Sequence, residues 1–205
     1  MNATRSRILP IMAAIAAIAL PKLGMAENVA ADRPALKVGD QWKVERRDGY
    51  TKKVLFAEDM VVTAISPAGI DVSVNGSPAK MTPDLTWLDG PRIASDPGYQ
   101  LLRFPLEVGR KWDFKTQWLN KQNGVKGGAQ LDVVVKGMET VKVAAGEFEA
   151  YKLEASGYLN TVSGRNWSAT ATYWYAPKAR SIVRFLWVDR NNDYESELVQ
   201  LKLAE

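Results

Sequence analysis

The sequence predicts an all-β protein, a curved antiparallel sheet (half-barrel, barrel or sandwich) with an internal duplication, preceded by a signal-peptide helix. After residue 26, short runs rich in Val, Tyr, Trp and Thr alternate with Gly, Pro and Asn, which is typical of strands joined by turns. Helical periodicity is nearly absent from the same region. The pattern Leu-x-Val-Gly-x-x-Trp occurs twice, which indicates a repeat.

Residues 1–26 have the three parts of a secretory signal peptide. Two arginines form a basic start, an apolar run follows at 8–20, and the small residue Ala26 ends the segment. This run is shorter than the roughly 20 apolar residues of a membrane span. We therefore expect cleavage near Ala26 and one β domain over residues 27–205, periplasmic or secreted and with no stable membrane span.

Charge and composition exclude several functional classes for the mature domain. The leader holds three of the 27 basic residues and none of the 23 acidic ones, so residues 27–205 carry 24 basic and 23 acidic side chains and a net charge of +1. Nucleic-acid binding needs a basic stripe, and the densest basic cluster, at 43–48, is interrupted by acids. We interpret it as a solvated strand face. The absence of His and Cys removes the commonest general base, metal ligand and thiol nucleophile.

Nine segments have strand composition and are separated by hairpin-length gaps, which favours an antiparallel sheet. Asn-Gly pairs at 75–76 and 123–124 suit tight turns, because both residue types accept positive φ. The predicted strands are residues 41–45, 53–65, 70–74, 111–119, 130–143, 148–159, 166–175, 181–189 and 194–203.

The repeated pattern occupies residues 36–42 and 106–112. In each copy the Gly permits a turn that starts a strand, and the Trp lies three residues later, inside that strand. We expect Trp42 and Trp112 each to close one end of a core, with the Leu and Val before the Gly packing beside them. A second correspondence supports two β-meander halves, since an Ala-Gly pair precedes a strand at 68–69 and again at 145–146.

Residues 77–105 contain five prolines, which makes central strands unexpected there. Two interpretations remain open for this segment. It is a crossover held over the sheet by Trp87, Leu88 and Tyr99, or it is a lid or mouth-lining loop.

The late hairpin, residues 166–189, carries the functional prediction. Its second strand is apolar on both faces apart from Arg184, so one face must meet a second layer or line a cavity. Small side chains between large rings leave room for an apolar ligand. The alternative is a strand packed in core on both sides. The predicted ligand-binding residues are Trp167, Ala169, Ala171, Tyr173, Tyr175, Phe185 and Trp187.

Four segments carry a family resemblance: "FPLEVGRKW", "VKVAAGEFEAYKL", "TYWYAPKARSIVRF" and "SELVQLKL". Over residues 104–203 the chain resembles an uncharacterised family of bacterial periplasmic proteins, a domain of unknown function. It is more distantly similar to the half-barrels of LolA- and LolB-type lipoprotein carriers. The resemblance implies an exported, curved antiparallel sheet and no catalytic residues.

Patterns that could indicate catalysis or metal binding are weak. Ser77 and Lys80 have the spacing of penicillin-recognising enzymes, but prolines crowd the helical turn that this chemistry needs. Asp189 begins an alternating polar string without the Gly and Glu of an EF-hand, so it favours a polar turn, with a weak calcium site as the alternative. Paired glutamates at 147 and 149 and at 195 and 197 fit a solvated strand face better than a glycosidase. We expect no enzyme, cofactor or metal.

These observations predict an exported, non-enzymatic module that binds or carries an apolar or amphipathic ligand, such as a lipid, in the periplasm. The alternative is a cell-envelope protein-interaction module without a small-molecule ligand, whose edge strands dock a partner protein. Neither prediction involves nucleic acid.

Overall fold

The computed structural model describes residues 30–190 and 192–205, so the predicted signal peptide lies outside the described residues. Within them the chain forms one closed barrel of twelve antiparallel strands, which confirms the predicted all-β fold. The strands are β1 (Gln41–Asp48), β2 (Val54–Ser66), β3 (Gly69–Val74), β4 (Ser77–Met81), β5 (Trp87–Asp89), β6 (Ile93–Asp96), β7 (Lys111–Asn120), β8 (Lys126–Val143), β9 (Gly146–Thr161), β10 (Asn166–Ala176), β11 (Ser181–Asp189) and β12 (Asp193–Lys202). A 3₁₀ turn, Pro177–Ala179, joins β10 to β11.

Strand order around the barrel follows the chain, and β1 closes the ring by pairing with β12. Gln41 lies opposite Lys202 at one end of that pairing, and Asp48 lies opposite Tyr194 at the other. Each described strand therefore has a hydrogen-bonded neighbour on both sides.

The two copies of the repeated pattern open β1 and β7 with the same turn. Gly39 and Gly109 have φ of +94° and +86°, which glycine adopts at little cost. The Gly39 amide donates to the carbonyl of Val62 at 2.9 Å, and the Gly109 amide donates to that of Val135 at 2.8 Å. Each bond runs to the second strand of its own half, so the structure confirms the duplication.

The repeated tryptophans are buried, with 3% of Trp42 and 6% of Trp112 exposed. The indole N–H of Trp42 donates to the carbonyl of Ala179 at 2.7 Å, and that of Trp112 donates to Gln100 at 2.8 Å. The repeated Trp of each half is therefore hydrogen-bonded to a carbonyl group of the other half.

The valines of the repeat do not pack as expected. Val38 and Val108 are exposed, because each belongs to the turn before the strand rather than to the strand itself. The leucines are more sheltered: Leu106 is fully buried and Leu36 is half-buried.

The proline-rich segment contains β4, β5 and β6, each paired on both sides within the barrel, so the expectation that it lacks central strands is wrong. Pro83 and Pro91 lie between these short strands, and Pro97 and Pro105 follow β6. Only Pro78 lies inside a strand. In the loop after β6, Leu102 is buried in the core and Tyr99 packs against it, and both also border an interior cavity, so the crossover and the mouth-lining interpretations both remain open.

Two hydrophobic cores divide the interior. The first lies against β7 to β11 and the loop after β6, and the second lies against β1 to β4 and parts of β8 to β12. On β9, Leu153 packs in the first core and Ala150 in the second. On β10, Tyr173 packs in the first core and Trp174 in the second. At these positions β9 and β10 are buried on both faces, whereas Tyr158 on β9 and Thr170 on β10 are exposed.

Candidate ligand-binding cavity

A cavity of about 430 Å³ lies inside the barrel, bordered by β1 to β6, the loop after β6, β11 and β12. We call it the inner cavity. Its volume falls in the range of roughly 300–1,000 Å³ that small-molecule sites occupy. On β1, β2 and β3 alternate residues line the cavity, so one face of these strands supplies that part of the wall, whereas on β11 the consecutive residues 181–185 line it.

Most of the wall is apolar. The lining side chains of β1 and β2 lie beside one another, because Trp42 pairs with Met60 and Val44 pairs with Glu58 in the register of the two strands. β3, β4 and the segment after β4 add branched and thioether side chains. The apolar wall includes Val44, Met60, Val72, Val74, Met81 and Leu85.

One end of the inner cavity is charged. Arg46 on β1 lies opposite Phe56 on β2 and Ser196 on β12. Its guanidinium carbon lies 4.0 Å from the ring centre of Tyr194 and 4.8 Å from that of Phe56. Both are distances at which a ring face attracts a cation. The Arg46 Nε donates to the Ser196 Oγ at 3.3 Å.

A second arginine stands beside the first and is already neutralised. Arg92 Nη2 forms an ion pair with Glu58 Oε1 at 2.5 Å, and the Arg92 guanidinium lies 3.7 Å from the centre of the Phe56 ring. Among the described residues, no carboxylate oxygen lies within 4.0 Å of the side-chain nitrogens of Arg46. This end of the inner cavity therefore carries one uncompensated positive charge.

The Tyr194 hydroxyl adds a neutral polar group to the charged end. Burial raises the pKa of Tyr194, and the nearby Arg46 cation opposes that shift only in part. The hydroxyl is therefore protonated at neutral pH.

Arg180, at another part of the cavity wall, is committed to the structure. Its Nη1 donates to both carboxylate oxygens of Asp40, at 2.9 and 2.8 Å. Asp40 is fully buried and also accepts from the amides of Lys37 and Ala204. This network ties the start of β1 to the C-terminal segment.

The structure separates the predicted ligand-binding residues. Phe185 and Trp187 line the inner cavity. Ala169, Ala171, Tyr173 and Tyr175 are buried in the first core, and Trp167 packs against the same core. That these five side chains contact a ligand stays a prediction.

Sequence reasoning missed the charged end of the inner cavity. The interpretation of residues 43–48 as a solvated face is wrong for Arg46, which is half-buried and points inward. A cue was present, because Trp42, Val44 and Arg46 alternate and share a face with the predicted core tryptophan. The partners Glu58 and Arg92 are distant in sequence and gave no such cue.

The sequence patterns that could have indicated catalysis or calcium binding lie in ordinary strand and turn positions. Ser77 and Lys80 both lie in β4, where residues three apart point to opposite faces. The Asp189 carboxylate accepts from the indole of Trp187 at 2.7 Å and from the amide of Asn192 at 2.9 Å. Asn191 lies outside the described residues. In the described part of the chain, no group of three His, Cys, Asp or Glu side chains is placed to hold a metal ion.

No helix in the described ranges is long and apolar enough to cross a bilayer. No family model matches the chain, and no curated protein sequence matches it. The sequence resemblance to a domain-of-unknown-function family therefore has no family model behind it.

Solved structures do share the fold. A candidate exported protein with a YmcC-like fold from Bacteroides fragilis has a TM-score of 0.54 at 16% identity, covering 85% of this chain and 100% of that one. A candidate lipoprotein from Parabacteroides distasonis gives 0.53 at 13%, with the same coverage. The hypothetical lipoprotein YmcC from Escherichia coli gives 0.50 at 10%, covering 82% and 85%. The chain thus has a YmcC-like barrel fold, which proteins described as exported or as lipoproteins also have.

Proposed function

We propose that this protein is an exported, non-enzymatic module that binds an amphipathic ligand in its inner cavity, in the periplasm. The observation that carries the proposal is an interior space of about 430 Å³ with an apolar wall and one charged end. Such a space suits a molecule with a hydrocarbon part and a polar head. The export part of the proposal is supported by the leader pattern of residues 1–26 and by the description of proteins with the same fold.

The expected affinity is modest. Burying about 200 Å² of apolar ligand surface at about 25 cal/mol per Å² contributes roughly 5 kcal/mol. Association itself costs several kcal/mol. We therefore expect dissociation constants in the micromolar range or weaker.

A cavity-filling substitution tests the proposal directly. Val44 lines the inner cavity, and Lys43 lies on the opposite face of the same strand. Val44→Trp should abolish binding of the fluorescent apolar probe N-phenyl-1-naphthylamine, whereas Lys43→Trp should leave it unchanged. Fluorescence titration measures binding, and thermal melting verifies that both variants fold. Equal probe binding by the two folded variants would contradict the proposal.

The native ligand can be sought in the same material. Protein purified from the periplasmic fraction should have an N-terminus near Glu27 by mass spectrometry, and solvent extraction should release an amphiphile. An intact Met1 on the periplasmic protein would exclude cleavage of the leader.

The alternative, an envelope protein-interaction module, receives less support. Docking through edge strands needs an unpaired edge, and each described strand is paired on both sides. Recovery of a stoichiometric partner protein, without extractable amphiphile, would favour this alternative.

A further inference from the structure

Arg46 is a cation that lines an interior space and has no anionic partner among the described residues. A sheltered charge is costly unless it is paired. The ring faces of Phe56 and Tyr194 compensate it in part. The neighbouring Arg47 shows the usual arrangement, because it points to the other face and pairs with Glu45 at 2.6 Å.

The hydrogen-bonding capacity of Arg46 is also mostly unused. A guanidinium has five N–H donors in a planar fork, and within the described structure only Nε has a hydrogen-bond partner, Ser196 Oγ. The two terminal nitrogens are therefore available to a ligand. A planar fork of this kind binds a carboxylate through two parallel hydrogen bonds.

The charge balance limits the ligand to a single negative charge. The other charged residues that line the cavity have ion-pair partners: Arg92 pairs with Glu58, Arg180 with Asp40, Arg184 with Glu195 and Glu197 with Arg47. Among the described residues that line the cavity, Arg46 is therefore the charge that remains unpaired. A dianionic head would bring a second charge into this sheltered space without a counter-charge.

We propose, resting on the proposed function, that the ligand is a long-chain carboxylate whose head binds Arg46 and whose hydrocarbon chain lies along the apolar wall. Ser196 positions the Arg46 fork, and the rings of Phe56 and Tyr194 hold it in the plane needed for a paired contact. The wall residues Val44, Met60 and Val74 contact the chain.

The test compares decanoate with decanol, which share a chain and differ in the charge of the head. Isothermal titration calorimetry should give at least roughly tenfold tighter binding for decanoate, the scale of a hydrogen bond to a charged group. Arg46→Gln should remove this preference, because decanoate then has no cationic partner and binds no more tightly than decanol. Arg47→Gln, on the opposite face of β1, should keep the preference.

A variant that retains the positive charge serves as a control for loss of folding. Arg46→Lys should keep a preference for decanoate, although a reduced one, because an ammonium lacks the planar fork. Thermal melting verifies that each variant is folded.

The outcomes separate the two proposals. Binding of neither compound to the wild-type protein would overturn the proposed function. Binding of both with equal affinity would overturn only the assignment of a charged head. Binding of decyl sulfate as tight as that of decanoate would overturn the assignment of a carboxylate, since sulfate has the same charge on a tetrahedral head.

Discussion

Trp42 and Trp112 show how one residue type can hold the two halves of a duplicated barrel together. Both are buried, and both donate an indole hydrogen bond to a carbonyl of the opposite half. Each tryptophan therefore stabilises the barrel in two ways, through its packing and through one hydrogen bond between the two halves.

Trp112→Ala should lower the free energy of unfolding by about 3–5 kcal/mol, the range for emptying a buried aromatic site. Urea denaturation measures this loss. Tyr158→Ala removes a ring that is 64% exposed and should change stability much less. A Trp112→Ala variant with the midpoint of the wild-type protein would contradict the packing role.

Arg46 illustrates the limit of sequence reasoning at the scale of the residue. A strand with charged residues at several positions is usually solvated on both faces. On β1, Trp42 and Val44 precede Arg46 on the inward face, so the Arg46 side chain also points into the barrel. Only the positions of Glu58, Phe56 and Tyr194 reveal that this charge is sheltered and incompletely compensated.

At the scale of the element, β10 is buried on both faces only at its C-terminal end, from Tyr173 to Ala176. Its residues Ala169 and Ala171 are 2% and 4% exposed and belong to the first core, whereas Trp174 belongs to the second. These two alanines are therefore core positions in the described structure. A larger side chain at either position could not turn toward solvent and would have to displace its neighbours.

Ala171→Trp should destabilise the protein by roughly 1–3 kcal/mol or more, because overpacking forces neighbours out of favourable rotamers. Thr170→Trp, at an exposed position on the same strand, is the matched control and should keep the wild-type midpoint within about 0.5 kcal/mol. Chemical denaturation compares the two. Wild-type stability in Ala171→Trp would show that a gap does exist beside this alanine.

At the scale of the whole molecule, closure of the ring places several tyrosines in the interior. Burial raises the pKa of Tyr99, Tyr173 and Tyr175 above the ordinary value. The Tyr173 hydroxyl donates to the carbonyl of Leu101 at 2.6 Å, which links β10 to the loop after β6.

These tyrosines predict alkaline destabilisation. In the unfolded chain a tyrosine ionises near pH 10, whereas the folded state holds the neutral form. Their contribution is therefore fully present below about pH 10 and is lost as pH rises above it. The urea midpoint of the protein should therefore be lower at about pH 11 than at about pH 8.

Tyr173→Phe should reduce this fall, because the variant lacks one buried ionisable group. It should also lose about 1 kcal/mol at neutral pH with the Leu101 hydrogen bond. Tyr158→Phe, at an exposed position, should leave the fall unchanged. A midpoint that is constant from about pH 8 to about pH 11 would contradict the prediction.

The sequence by itself determined the class of fold, most strand positions, the duplication and the burial of its two tryptophans. Alternation, turn residues and a repeated pattern are local properties, so they can be read along the chain. The prolines were misleading between 77 and 105, because they mark turns between strands too short to show alternation.

The tertiary structure alone decided which face of each strand lies inside and what meets there. Alternation specifies which residues share a face, but only ring closure determines whether that face meets a core, a cavity or water. On β10 the face that carries Ala169 and Ala171 meets the first core, and alternation alone does not distinguish a core face from a ligand site. The inner cavity joins Arg46, Glu58 and Arg92 from three separate strands and loops, because pairing of β1 with both β2 and β12 brings distant segments together.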